Sequence, residues 1–119
     1  EQRNFRLLKL QSGDWNEPLQ CRLLVENLNS LSYTYEAVSY VWGDATKFEP
    51  ILCNGAHANI TRSLFEALRV FRRSSGEPLR MLWADAICID QANVRERSYQ
   101  VQLMQQIYKA ASKVLIWIG

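Results

Sequence analysis

The sequence predicts an α/β fold built on an open parallel sheet in three layers, with an antiparallel hairpin and an N-terminal strand pair added to it. Three observations support this prediction. The apolar period changes from strand-like to helical at Thr61, the run 81–89 is almost continuously apolar, and strand and helix patterns alternate from there to the last residue. Such alternation is typical of parallel strands joined by right-handed crossovers.

The first half of the chain is strand-rich. FRLLKL (5–10) and LQCRLLVENL (19–28) flank turn-forming residues at 12–18, which predicts an antiparallel pair. YEAVSYVW (35–42) is aromatic and β-branched and ends at Gly43-Asp44. In ILCNGAHANI (51–60), Asn54-Gly55 between apolar arms is a strong hairpin signal.

The second half alternates between helix and strand. Thr61 is a good N-cap residue, and the helix that it opens is stopped by Ser74-Ser75-Gly76 and Pro78. The run 81–89 is typical of a strand covered on both faces, and 114–118 of another short buried strand. Between them, apolar residues recur at helical spacing from about Val94, namely Val101, Met104, Tyr108 and Ala111.

These strands predict the place of a ligand crevice. If 35–42 lies between 81–89 and 114–118, the strand order is that of flavodoxin-like sheets. A crevice then opens at the carboxyl ends of the strands, where the winding direction reverses. The predicted crevice residues are Trp42, Gly43 and Asp44, together with Asp85 if that residue lies on the rim.

Asp85 stands inside an apolar run, and a buried carboxylate is costly unless it is paired or hydrogen-bonded. Two placements are open. If the strand extends to Ile89, Asp85 lies in the middle of the sheet and has a structural role. If the strand ends at Asp85, the carboxylate lies at the crevice.

The segment that follows carries charges of both signs. Arg97 shares the predicted helix stripe with Val101 and should point inward, so a structural ion pair is expected, with Asp90 as its nearer partner and Asp85 as the farther one. The polar residues before it form a predicted interaction loop: Asp90, Gln91, Asn93, Arg95 and Glu96. An ordinary solvated loop, with Glu96 complementing the helix dipole, is the alternative.

Composition narrows the function classes. A net charge of +2 over 119 residues is too small to indicate nucleic acid or an anionic membrane as a partner. No apolar run reaches the roughly 18 residues of a membrane-spanning helix. The densest basic stretch, RVFRR (69–73), closes a predicted helix, which favours a solvated face.

Cysteine usage suggests a reducing compartment. Cys21, Cys53 and Cys88 are an odd number without CxxC spacing, which fits reduced thiols of a cytoplasmic protein. With a single histidine, His57, these cysteines do not indicate a metal site. Gly-rich phosphate loops are absent, and no catalytic residue or cofactor site is identified.

Several stretches in one order resemble the heterokaryon incompatibility (HET) domain of filamentous fungi: YEAVSYVWGD (35–44), LCNG…NITRSLFEALR (52–69), LWADAICIDQANVRERSYQVQLMQQIY (82–108) and VLIWIG (114–119). The resemblance covers 35–119, the N-terminal portion of such a domain, and 1–34 resembles the strand pair that leads into it. Asp90 and Ala84 are mild departures from the family pattern. The resemblance implies an effector module of fungal nonself recognition and programmed cell death, a form of innate immunity, acting through self-association or protein partners.

HET domains also look like distant relatives of TIR domains. On that mapping the loop 90–98 matches a segment that TIR domains use in self-association. Some TIR domains hydrolyse NAD with a glutamate on the helix after the third strand, which would lie beyond Gly119 here. We therefore expect residues 1–119 to be a fragment of a larger domain, with NAD as a possible substrate of the full-length protein only.

Overall fold

The computed structural model describes residues 3–41, 43–44, 46–90 and 92–118. Within them the chain forms seven strands and three helices. The strands are β1 (Asn4–Leu10), β2 (Gln20–Asn27), β3 (Glu36–Tyr40), β4 (Phe48–Cys53), β5 (Ala56–Thr61), β6 (Arg80–Trp83) and β7 (Lys113–Trp117). The helices are α1 (Arg62–Phe71), α2 (Asp85–Cys88) and α3 (Val94–Ala110). The fold is mixed α/β, as predicted.

All seven strands belong to one sheet, in the order β5-β4-β2-β1-β6-β3-β7. β3 lies between β6 and β7 and runs parallel to both, with Glu36 opposite Leu82 on one side and opposite Lys113 on the other. The predicted position of 35–42 between the other two strands is therefore confirmed. Glu36, Ala37 and Val38 are consecutive and all buried, so both faces of this strand are covered.

The N-terminal strand pair is part of the same sheet. β1 and β2 are antiparallel to each other over seven residue pairs, as predicted, and β1 also runs antiparallel to β6. The β4–β5 hairpin forms at the predicted turn, where Asn54 and Gly55 take φ values of 53° and 81°. The hairpin joins the sheet through a short parallel pairing of β4 with β2.

The strand predicted over 81–89 is only half correct. β6 ends at Trp83, and the next residues form the short helix α2, with Asp85 in its first turn. Trp83, Ala84, Cys88 and Ile89 are nevertheless all buried. The apolar run reflects burial of a strand and a helical turn in succession, and burial alone does not distinguish these two conformations.

Helix α3 exposes part of the stripe that was expected to face inward. Its buried residues are Gln100, Leu103 and Ile107, whereas Val101 is 54% exposed and Arg97 is also exposed. The expectation of an inward-pointing Arg97 is therefore wrong. The buried face of the helix passes through Gln100, Leu103 and Ile107, about one residue before the predicted stripe.

The basic stretch at the end of α1 is not simply a solvated face. Arg72 is 9% exposed and donates hydrogen bonds to the carbonyl oxygens of residues 14, 15, 17 and 18. The Arg69 guanidinium lies 4.1 Å from the centre of the Trp15 ring. These two arginines tie the loop between β1 and β2 to the end of α1, and Arg73 is exposed.

A second buried polar cluster lies at the amino end of the parallel strands. Glu36 accepts hydrogen bonds from Arg80 Nε at 2.6 Å through Oε1 and from Arg80 Nη2 at 3.3 Å through Oε2, and Lys113 Nζ lies 3.4 Å from the same Oε2 atom. These three residues come from β3, β6 and β7. Arg80 also donates to the Phe71 carbonyl, so the same cluster holds the end of α1.

None of the helices in the described ranges is long and apolar enough to cross a membrane.

Candidate functional site

The structure places Asp85 beyond the carboxyl end of β6, the second of the two placements left open by the sequence. The side chain is half-buried, and the Tyr40 hydroxyl at the end of β3 donates to its Oδ1 at 3.4 Å. Burial, then the nearby Asp85 carboxylate, raises the pKa of Tyr40. Burial and Asp85 raise the pKa of Tyr108 in the same way. Both phenols therefore stay protonated around this carboxylate.

Asp44 and Gly43 form a turn after β3. Asp44 is exposed, and its Oδ1 accepts hydrogen bonds from the hydroxyl of Thr46 at 2.6 Å and from the backbone amide of the same residue at 2.9 Å. These bonds lower the pKa of Asp44. Gly43 has a φ of +65°, which a glycine adopts without strain. Trp42, the third predicted crevice residue, lies outside the described residues.

Three residues of the predicted interaction loop, Asp90, Asn93 and Glu96, make hydrogen bonds within it. Asn93 caps α3 by accepting from the Glu96 amide at 3.0 Å. Asp90 accepts from the Ala92 amide at 3.1 Å, and its own amide donates to Glu96 Oε2 at 2.9 Å. Gln91 lies outside the described residues.

Glu96 is a structural residue within this loop. Its carboxylate forms an ion pair with Arg6 of β1, and the two side chains are only 26% and 29% exposed. Arg95 is exposed. The expected ion pair of Arg97 with Asp90 or Asp85 stays a prediction.

A cleft of about 510 Å³ opens between β1, β2 and the first half of α3. We call it the α3 cleft, and its lining includes three of the predicted loop residues. The residues that line it are Asn4, Phe5, Arg6, Val25, Asn93, Arg95, Glu96, Tyr99 and Gln100. Because β1 runs antiparallel to β6, this part of β1 lies toward the carboxyl end of β6, where ligand sites of α/β sheets are usually found.

Two polar groups of the α3 cleft lack a hydrogen-bond partner among the described residues. Gln100 is 6% exposed and donates through Nε2 to the Asn4 carbonyl at 2.9 Å, but its Oε1 atom is buried and unpaired. The buried hydroxyl of Tyr99 is unpaired as well. Buried polar atoms in folded proteins are normally hydrogen-bonded, so such groups in a cleft indicate a place where a ligand donor can bind.

The chemistry available here is that of binding. The α3 cleft has an exposed guanidinium at Arg95 and apolar walls from Phe5 and Val25, and its lining includes Gln100, whose Oε1 is buried and unpaired. Across the described ranges, no group of three or more histidine, cysteine or acidic side chains is arranged to hold a metal ion.

Sequence reasoning missed Tyr40, Tyr99 and Gln100 as site residues. Gln100 carried a usable signal, since it lies three and seven residues before Leu103 and Ile107 and so shares their buried face. Nothing in the sequence marks Tyr40 as the partner of Asp85, because that contact depends on where β6 ends.

Comparison with known proteins agrees with this sequence pattern. The profile of the heterokaryon incompatibility protein (HET) family matches residues 35–119. The chain is 37% identical over 129 aligned residues to heterokaryon incompatibility protein 6, OR allele, of Neurospora crassa; the alignment covers 98% of this chain and 19% of that protein. No solved structure matches the chain. The chain belongs to the heterokaryon incompatibility (HET) family.

Proposed function

We propose that this chain is part of an effector module of fungal heterokaryon incompatibility and acts through protein contacts made at the α3 cleft. The HET family match and the incompatibility protein of Neurospora crassa support the biological role. The unpaired, buried Gln100 Oε1 in the lining of the cleft that also contains the exposed Arg95 is the observation that supports the contact site.

The chemistry of the cleft favours an extended segment of a protein partner that carries an acidic side chain. A backbone amide of such a segment would donate to Gln100 Oε1, and a carboxylate would pair with Arg95. An apolar side chain would pack on Phe5 and Val25, and Val25 is 64% exposed. The Asn93 cap and the bond from the Asp90 amide to Glu96 fix the start of α3 before any partner binds, which lowers the entropic cost of a contact there.

The test is charge reversal at Arg95. In a fungal strain whose incompatibility reaction depends on this protein, Arg95→Glu should abolish the cell-death response. Its melting temperature should hardly change, because exposed substitutions usually cost under about 0.5 kcal/mol. Glu96 is unsuitable for this experiment, since its ion pair with Arg6 makes it structural.

Arg73→Glu is the matched control. Arg73 is also exposed, but it lies at the opposite end of the parallel strands. An unchanged response in the Arg73 variant and a lost response in the Arg95 variant support the proposal. Equal responses in both variants would contradict it. Light scattering of the purified protein distinguishes self-association from binding of a different protein, because only self-association raises the particle mass when no partner is present.

A TIR-like NAD-cleaving activity is the alternative. Its support is the kinship suggested by the resemblance and the flavodoxin-like arrangement of β6, β3 and β7. The assay is nicotinamide release from NAD by the purified full-length protein. Release that survives Arg95→Glu would replace the contact proposal with an enzymatic one.

A further inference from the structure

The fold brings two cysteines together that are far apart in the sequence. Cys21 of β2 and Cys53 of β4 are in-register partners in neighbouring parallel strands. Neighbouring strands lie about 4.7–4.9 Å apart, within the roughly 4.4–6.8 Å between Cα atoms that a disulfide bond spans. The two side chains are on the same face of the sheet, and the thiols are close enough to hydrogen-bond to each other.

This pair lies at a short junction: β2–β4 and β3–β6 each have two residue pairs, the fewest between neighbouring strands in the described part of the sheet. β2 and β4 are paired through Gln20 with Leu52 and through Cys21 with Cys53, whereas β1 and β2 share seven pairs. The backbone bonds at this junction run from the Leu52 amide to the Leu19 carbonyl at 2.9 Å and from the Asn54 amide to the Cys21 carbonyl at 3.0 Å. A covalent bond here would fix the β4–β5 hairpin to the rest of the sheet.

A small oxidant can reach the pair. Cys53 is half-buried, and a groove of about 520 Å³ opens beside Cys21. The groove is lined by Gln11, Ser12, Gln20, Cys21, Arg22, Leu52 and Gly55. Cys88 differs from this pair, since it is fully buried in α2 and its Sγ accepts from the Ala84 amide at 3.5 Å.

We propose that Cys21 and Cys53 form an oxidisable dithiol site, which a hydroperoxide converts to a disulfide that clamps the β4–β5 hairpin to β2. The Cys53 sulfur attacks the hydroperoxide, the O–O bond breaks, and an alcohol leaves (water, if the oxidant is hydrogen peroxide). This oxidises Cys53 to a sulfenic acid. The Cys21 sulfur then attacks the Cys53 sulfur, the S–O bond breaks, and water carries away the hydroxyl group and the remaining thiol proton.

The different environments of the two thiols set the order of these steps. Burial is the main cause that raises the pKa of the Cys21 thiol, and the neighbouring Cys53 adds to it. Cys21 is therefore held as the neutral thiol, and Cys53 meets the oxidant first. The consequence is that the disulfide closes only once Cys53 has been oxidised.

Peptide mapping tests the bond directly. The purified protein is treated with hydrogen peroxide, its free thiols are alkylated, and it is digested with trypsin without a reductant. We expect the peptide 10–22 to be linked to the peptide 48–62, with a mass two hydrogen atoms below the sum of the two. Dithiothreitol should separate them.

Cys88→Ala is the matched control. It should leave the linked peptides unchanged, whereas Cys53→Ala and Cys21→Ser should each abolish them. Linkage of 48–62 to 81–95, the peptide of Cys88, would overturn the proposal. Oxidation of Cys53 to a sulfinic acid without linkage would do so too.

The stabilising effect of the disulfide is tested by the melting temperature of the wild-type protein, without any variant. Oxidised protein should melt roughly 5–10 °C above reduced protein, because the cross-link restricts the unfolded chain. An unchanged or lower melting temperature, in protein that mapping shows to be linked, would mean that the bond does not stabilise the hairpin and would refute the clamp.

Discussion

The parallel strands β6, β3 and β7 carry polar residues at both ends, and Glu36 and Arg72 at the amino end differ from Gln100 and Tyr99 at the carboxyl end in how many of their hydrogen bonds are made. At the amino end, Glu36 is bonded by Arg80 and Lys113, and Arg72 donates to four carbonyl oxygens. At the carboxyl end, Gln100 Oε1 and the Tyr99 hydroxyl are buried and unpaired, and Arg95 is exposed.

This contrast separates stabilising polar groups from binding ones. A buried group whose hydrogen bonds are made within the fold contributes to stability, and its loss leaves its partners unsatisfied. A buried group without a partner destabilises the folded state, and a ligand that pairs with it removes that cost. Substitution of Glu36 or Arg72 at the amino end should therefore destabilise the protein, and substitution of Gln100 or Arg95 at the carboxyl end should alter its contacts.

The largest loss of stability is expected from substitution of Glu36. Glu36→Gln removes the carboxylate that faces Arg80 and should lower the free energy of unfolding by about 3–4 kcal/mol near pH 7, since breaking a buried pair leaves one charge uncompensated. Lys113 adds little to this figure, because its side chain is 63% exposed. Urea unfolding measures the change. A loss under about 1 kcal/mol would contradict the assignment of this cluster as structural.

The same pair makes stability depend on pH. Hydrogen bonds from Arg80 lower the pKa of Glu36 in the folded state below its ordinary value of 4.5, despite the opposing effect of burial. The pair's contribution is therefore complete above about pH 4.5 and is lost as the pH falls through the folded-state value. The stability difference between wild type and Glu36→Gln should narrow on acidification, and a constant difference would count against this linkage.

Substitution of Arg72 should cause the second-largest loss of stability. Arg72→Met keeps the aliphatic stem but leaves carbonyl oxygens of the 14–18 loop unpaired, at a cost of about 2–3 kcal/mol in unfolding free energy. Arg73→Met is the control, because this exposed side chain should cost under about 0.5 kcal/mol. Equal destabilisation by Arg72→Met and Arg73→Met would show that the hydrogen bonds of Arg72 do not stabilise the fold.

Substitution of Asp85 should have a stability cost between that expected for Glu36 or Arg72 and that expected for Gln100. Asp85→Ala leaves the Tyr40 hydroxyl without this acceptor and should cost about 1–2 kcal/mol. Asp85→Asn keeps an acceptor oxygen in place and should cost less. Thermal unfolding of both variants makes the comparison, and an alanine variant of wild-type stability would place Asp85 with the binding groups instead.

These residues also show how far sequence reasoning could reach. The order of β6, β3 and β7 was predictable, because apolar runs and helical periods report burial and alternation directly. The end of β6 was not, since Trp83 and Ala84 are as buried as Cys88 and Ile89 in the helical turn that follows. The role of Arg72 was hidden for a related reason: its partners are backbone carbonyls, which carry no sequence signature.

The orientation of α3 decided what could be predicted of the candidate site. Val101 is apolar and exposed, whereas Gln100 is polar and buried, so a stripe drawn from apolar residues alone passed over Gln100. Without Gln100 the α3 cleft could not be recognised. A buried polar residue is an exception to the hydrophobic pattern, and such exceptions often mark functional positions.

The smallest stability change, and the sharpest test of the contrast, is expected at Gln100. Gln100→Met has a similar shape and loses the bond to the Asn4 carbonyl, but it also removes the unpaired Oε1 atom from a buried position. The two effects oppose each other, so the free energy of unfolding should change by less than about 1 kcal/mol. Incompatibility signalling should nevertheless weaken, because the acceptor proposed to bind the partner's backbone amide is gone. Urea unfolding and the cell-death assay, run on the same variant, separate the two roles. A variant that is destabilised as strongly as Glu36→Gln would show that Gln100 is structural, and one that signals like wild type would show that the α3 cleft is not the contact site.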